Sequence, residues 1–184
     1  MVRKGLLGLA LAGTLASLPA TAATSWMGPT AGQKSVILRG GIGLPGGDLK
    51  LLMGTGIHLG LVWRAQFSEY VGMEGEISWM MMSRKPEGTL HLVTPQILFL
   101  RVQVPIAIVV PFLLLGGGLN TPMLFTHDNT DFGFNVSMAF GGGVEVYLGP
   151  TTSLGLDAQY RRHFEQGGAN LSYTQVGLRV GFHY

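Results

Sequence analysis

The chain has 184 residues, 47% of them hydrophobic, with 29 glycines and no cysteine. The last fact excludes a disulfide framework, a thiolate metal site, a cysteine nucleophile and a lipid anchor on an N-terminal cysteine. Its pI near 9.1 invites a nucleic-acid reading, yet only 12 basic residues face 10 acidic ones.

The opening MVRKGLLGLALAGTLASLPATAATS removes that invitation. Arg3 and Lys4 lead an uncharged apolar run, Gly5 to Leu18, and Ala20-Thr21-Ala22 supplies the small-x-small cleavage pattern. This predicts a secretory signal over residues 1–22, then a short periplasmic segment over 23–34. Gly13 and Pro19 interrupt the run, which argues against an uncleaved helical anchor. Arg3 and Lys4 leave with the signal, so ten bases then face ten acids and no nucleic-acid partner is expected. About 160 residues remain, enough for one domain. None of it approaches the ~20 continuous apolar residues of a membrane helix.

From residue 35 onward the chain alternates with period two, the signature of a strand whose side chains point to opposite faces. In 35–44, Val36, Leu38, Ile42 and Leu44 oppose Ser35, Arg39, Gly41 and Gly43. In 53–65, Met53, Thr55, Ile57, Leu59, Leu61 and Trp63 oppose Gly54, Gly56, His58, Gly60 and Arg64. In 71–82, Val71, Met73, Ile77, Trp79 and Met81 oppose Gly72, Glu74, Glu76 and Ser78. Segments 89–102 and 106–119 are apolar on both faces, and the lipid-facing parity of neither is set. Each carries a proline, Pro95 and Pro111, roughly equidistant from a turn expected near Gln103. The two are expected opposite each other at one break in the pairing. In 134–148, Phe134, Val136, Met138, Phe140, Val144, Val146 and Leu148 oppose Asn135, Ser137, Gly141, Gly143 and Glu145. In 153–164, Leu154, Leu156, Ala158 and Tyr160 oppose Ser153, Gly155, Asp157, Gln159 and Arg161. The last strand sets Val176, Leu178, Val180, Phe182 and Tyr184 against Gln175, Gly177, Arg179, Gly181 and His183.

Eight strands result, joined by short turns (65–70, 102–106, 149–152) and longer loops (45–50, 83–88, 121–133, 165–171). Short connections on one rim and long ones on the other are the habit of outer-membrane barrels. The fold predicted is all-β: an eight-stranded antiparallel up-and-down transmembrane barrel over 35–184, with both termini periplasmic. The greasy face meets lipid, and the glycines relieve crowding in a narrow lumen. Arg39, Arg64, Arg161 and Arg179 would line that lumen with Glu74, Glu76, Glu145 and Asp157, four against four. Such burial is tolerable only when the ions pair. Trp63, Phe67, Tyr70, Tyr147, Phe182 and Tyr184 are expected at the periplasmic aromatic rim, with Trp79, Phe134 and Phe164 at the outer one.

With VILRGGIGLPGG, FGGGVEVYLG, LGLDAQYRRHF and the ending TQVGLRVGFHY, the chain resembles small outer-membrane β-barrel proteins of the OmpX, OmpA-barrel and porin-family type. The resemblance implies an outer-membrane location in a Gram-negative bacterium after Sec-type export. It also implies that Val176, Leu178, Val180, Phe182 and Tyr184 are the signal read by the barrel-assembly machinery. The usual final Phe is Tyr here.

Chemistry is sparse. Lipid A deacylase barrels carry His-x-Ser, whereas His163 is followed by Phe164 and Glu165, so no nucleophile sits beside a base. The five histidines, at 58, 91, 127, 163 and 183, form no metal-spaced pair. The Met80-Met81-Met82 run reads as packing, and neither GGG run (116–118, 141–143) is followed by the Lys-Ser/Thr of a phosphate loop. No enzyme activity and no cofactor are expected. Lys50, Arg84 and Lys85 are expected at the outer rim, either meeting lipopolysaccharide phosphates or simply solvated, with outer-membrane lipids as further partners. The function expected is structural or surface-interactive, carried by the extracellular loops 120–133 and 165–171, with no open pore. Two alternatives remain: a soluble periplasmic lipocalin-like carrier, which would invert the faces, and a lipid A-modifying barrel enzyme.

Overall fold

The computed structural model describes residues 28–84, 89–125, 130–164 and 170–184, so the signal region lies outside the described residues. The strands are β1 (Lys34–Gly47), β2 (Met53–Gln66), β3 (Val71–Arg84), β4 (Thr89–Gln103), β5 (Val109–Phe125), β6 (Thr130–Phe132), β7 (Asn135–Tyr147), β8 (Thr152–Phe164) and β9 (Asn170–His183), with a four-residue helix α1 (Leu49–Leu52) between β1 and β2. All pairings are antiparallel, in the order β4-β3-β2-β1-β9-β8-β7-β5, and β4 also pairs with β5. That last pairing closes eight long strands into a ring, which removes every sheet edge from the wall. The three-residue β6 pairs with the outer end of β5, Met123 opposite Phe132.

The faces obey the alternation. Ile57, Leu59, Leu61 and Trp63 point outward, while His58, Val62 and Arg64 are buried inside. Only closure leaves no backbone group unpaired in hydrocarbon, and the register supplies it continuously from Ser35↔His183 to Gly47↔Leu171 along the β1–β9 seam.

Several expectations are corrected. Met53 begins the outward row in the sequence, yet it is buried inside, because the β2–β3 register shifts between Met53 and Gly56. A one-residue slip sends a side chain to the other face. Pro95 and Pro111 do not oppose each other. Phe112 pairs with Gln103, which puts Pro111 at the end of the short turns and both described termini, the one expected to be periplasmic, whereas Pro95 lies at the β4 irregularity between Val93 and Gln96, near Leu119. The turn between them falls at 104–108, bridged Ile106↔Val109, with Ala107 at φ 53°, and not at 102–106.

The segment 121–133 is not simply a loop: Thr121 to Phe125 continue β5 and pair with β4, and Thr130 to Phe132 turn back upon it. Likewise β1 runs to Gly47, through the first half of the expected loop 45–50, and α1 begins at Leu49. Residues 85–88, 126–129 and 165–169 of the predicted outer loops lie outside the described residues. At the other rim, Gly32 donates to the Gln66 carbonyl at 2.8 Å and Gln66 to that of Gln33 at 2.9 Å, stitching 28–33 beneath the β2–β3 turn.

Candidate functional site

Two regions could act: the lumen and the outer rim. The lumen is filled in layers.

At the periplasmic end, His183 is hydrogen-bonded to Ser35 Oγ through Nδ1 at 2.7 Å and to Ser153 Oγ through Nε2 at 2.9 Å. Its ring stacks on Tyr147, centroids 4.7 Å apart. Tyr147 is therefore inside, 1% exposed, and does not belong to the aromatic rim. Its odd number sets it on the Glu145 face of β7, and Leu148 takes the outward position.

Above it, three guanidinium groups share two carboxylates. Arg64 donates through Nε to Glu74 at 2.9 Å and through Nη2 to Glu145 at 2.5 Å. Arg101 donates to Glu74 at 2.9 Å and to Glu145 at 2.7 Å, and Arg179 to Glu74 at 2.7 Å. Arg101 Nε also donates to Gln103, and its guanidinium lies over the Phe112 ring at 3.8 Å.

A second charge layer lies beyond the first. Arg39 meets Asp157 at 2.8 Å and Glu76 at 3.2 Å, and Arg161 donates to Glu76 at 2.5 Å and to Ser78 at 3.3 Å. Gln175 accepts from Arg39 at 3.2 Å, and Gln159 both donates to Asp157 and accepts from Arg161. Charge-assisted bonds of this kind are the strong ones.

All eight charged residues picked from the sequence thus converge in the lumen. A ninth, Arg101, joins them, so among the described residues five arginines face four carboxylates there. It was missed because the parity of 89–102 could not be read from a segment apolar on both faces.

The same wall brings apolar side chains inside. Ile97, Phe99, Phe112, Leu114 and Ala139 form one cluster. Toward the outer end Leu49 of α1 joins Met53, Met80, Met82, Leu90, Leu92 and Tyr173 in another. His163 is buried there with Asn120 at 3.0 Å and stacks on Tyr173. Ser137, its cross-strand neighbour, donates instead to the Gly118 carbonyl at 3.3 Å.

On the outside, Trp63, Phe67, Tyr70, Phe182 and Tyr184 are exposed at the periplasmic rim, and Phe134 and Phe164 at the outer one. Trp79 is half-buried against His91, to which its Nε1 donates at 3.2 Å. Val176, Leu178, Phe182 and Tyr184 face outward along the closing seam, with Val180 half-buried among them. Lys50 is exposed and Arg84 half-buried at the outer rim, and Lys85 lies outside the described residues. A soluble carrier would need the opposite arrangement, with Arg179 in water and Ile57 within.

Comparison with known proteins agrees with this architecture. Residues 8–184 match the family model described as outer membrane protein beta-barrel domain. No curated protein sequence matches the chain. Among solved structures, Neisserial surface protein A superposes with a TM-score of 0.67 at 11% identity, over 83% of this chain and 97% of that one. Ail, the attachment invasion locus protein of Yersinia pestis, gives 0.60 at 15%, over 84% and 100%. The N-terminal β-barrel domain of Pseudomonas aeruginosa OprF gives 0.59 at 13%, over 85% and 100%. At such identities the likeness is one of fold.

Proposed function

This chain belongs to the outer membrane protein beta-barrel family and resides in the bacterial outer membrane, and we propose that it works there as a closed barrel whose activity is carried on its outer surface. The observation behind this reading is that two ion pairs cross the whole lumen. In the ring order β2 and β7 stand four strands apart, on opposite walls, as do β3 and β8. Arg64–Glu145 joins the first pair of walls and Arg161–Glu76 the second, each at 2.5 Å. Eight strands leave room for little more than side chains, and these ones meet in the middle.

Interaction then falls to what rises above the membrane. The β5–β6 extension is the longest such feature among the described residues, since β5 is 17 residues long where β7 and β8 are 13. Lys50 and Arg84 are available there for lipopolysaccharide phosphates. During biogenesis the outward row Val176, Leu178, Val180, Phe182 and Tyr184 serves the assembly machinery.

The test is to replace residues 121–133 with a short turn. The variant barrel should still show heat-modifiable migration on a gel, while cells carrying it lose whatever surface-binding or resistance phenotype the gene deletion removes. A shortened protein that restores that phenotype in full would overturn the proposal.

A further inference from the structure

Among the described residues the lumen's charges do not balance, and the imbalance is local. Arg39 and Arg161 are matched by Glu76 and Asp157. Asp157, held by Arg39 at 2.8 Å, also stands 3.6 Å from Arg179 Nη1; otherwise Arg64, Arg101 and Arg179, in the layer nearer the periplasm, share Glu74 and Glu145. All five of those side chains are at most 1% exposed. Arginine does not shed its proton in proteins, and two carboxylates carry at most two negative charges against the three guanidinium groups. The histidines lining the lumen, His58, His163 and His183, can only add to the surplus. Tyr147 and Tyr173, the buried phenols among the described residues, are neutral at ordinary pH. A surplus buried cation inside a wall surrounded by hydrocarbon is costly unless something of opposite sign accompanies it.

The same layer has donors to spare. Arg64 Nη1 is buried with no carboxylate acceptor, and its neighbour is the Tyr147 hydroxyl, whose own proton has no acceptor among the described residues. Arg179 Nη1 and Nε are likewise without hydrogen bonds, their carboxylate oxygens standing at 3.6 Å. A buried donor left unmade carries its full desolvation penalty. Spare donors and a surplus positive charge in one layer call for one kind of guest.

We propose that the barrel binds one small monovalent anion, of the size and charge of chloride, beside Arg64 Nη1 and the Tyr147 hydroxyl, and that this ion completes the charge balance of the sealed lumen. The ion is taken up as the barrel closes and is held by the fold.

The test is refolding and thermal unfolding of the mature barrel in chloride and in gluconate, an anion too large for the lumen, at matched ionic strength. Chloride should raise the unfolding midpoint by about 4 °C, because an ion that binds only the folded state stabilises it. Arg101→Gln restores two arginines to two carboxylates in this layer and should erase the difference, and Tyr147→Phe should reduce it. Crystals grown in bromide should show an anomalous peak beside Arg64, a readout that survives if Arg101→Gln fails to fold. Equal midpoints in the two salts, a full chloride response in Arg101→Gln, or no halide peak in the lumen would each overturn the proposal.

Discussion

Glu74 is the residue on which most of the lumen converges, since Arg64, Arg101 and Arg179 all donate to it. Glu74→Gln keeps its shape and removes its charge, leaving Glu145 as the one carboxylate that the three guanidinium groups share. Breaking a buried pair by deleting one partner costs about 3–5 kcal/mol, and here the deletion enlarges an existing surplus. The variant should show that loss in urea unfolding of the lipid-refolded barrel.

A second residue-scale prediction concerns the outer face. Gly75 pairs with Trp63, and a Cβ built on it would lie inside the indole ring. Gly75→Ala should therefore cost about 1–3 kcal/mol by overpacking. In the Trp63→Ala background the same change should cost far less, and additive costs in that double-mutant cycle would refute the contact. Trp63 was legible as a lipid-facing aromatic from the alternation alone. The glycine beneath it was not, because partners across strands depend on register, which a single strand does not encode.

At the scale of the strand, what could be read depended on whether the two faces differed. β2, β3, β8 and β9 alternate greasy with small or charged residues, and their orientation came directly from that contrast. β4 and β5 are apolar on both faces because they supply the lumen's own hydrophobic cluster, Ile97, Phe99, Phe112 and Leu114. No contrast remained to be read, and Arg101 was lost with it. The irregularity between Val93 and Gln96 added to the difficulty by resetting the phase inside a single strand. Proline explains its place, since a residue without an N–H fits where the ladder is already broken.

The resulting parity is directly testable. Leu98, Leu100 and Val102 face lipid, and Leu98 sits near the middle of β4. Leu98→Arg should destabilise the barrel by about 2–4 kcal/mol, whereas Leu44→Arg, near the outer end of β1, should cost about 0–1 kcal/mol. Comparable values for the two sites, measured by urea titration in one lipid, would contradict the assigned depth and face.

For the whole molecule the question is whether the short helix at the mouth or the side chains beneath it close the lumen. α1 tucks Leu49 into the outer apolar cluster while Leu51 and Leu52 stay exposed, so it has the position of a lid. Below it, however, come Met80 and Met82, then the Arg39–Glu76–Arg161 layer, then the Arg64–Glu74–Glu145 layer. A blockage arranged in series fails only when every layer opens. Replacing residues 49–52 with glycine and serine should therefore leave the barrel as silent in planar-bilayer conductance as the parent, despite uncovering Met53 and Leu90. Glu76→Gln, which takes the shared acceptor from Arg39 and Arg161, should likewise stay silent while the Arg64–Glu145 bridge spans the opposite walls. Only when Met80→Gly and Met82→Gly are added to Glu76→Gln, Glu145→Gln and the α1 replacement, so that the lid, the methionine level and both charge layers are all loosened, is the barrel expected to pass ions. Steady conductance from the α1 replacement by itself would mean that the lid and not the lumen does the sealing, and that the ion pairs leave a path between them.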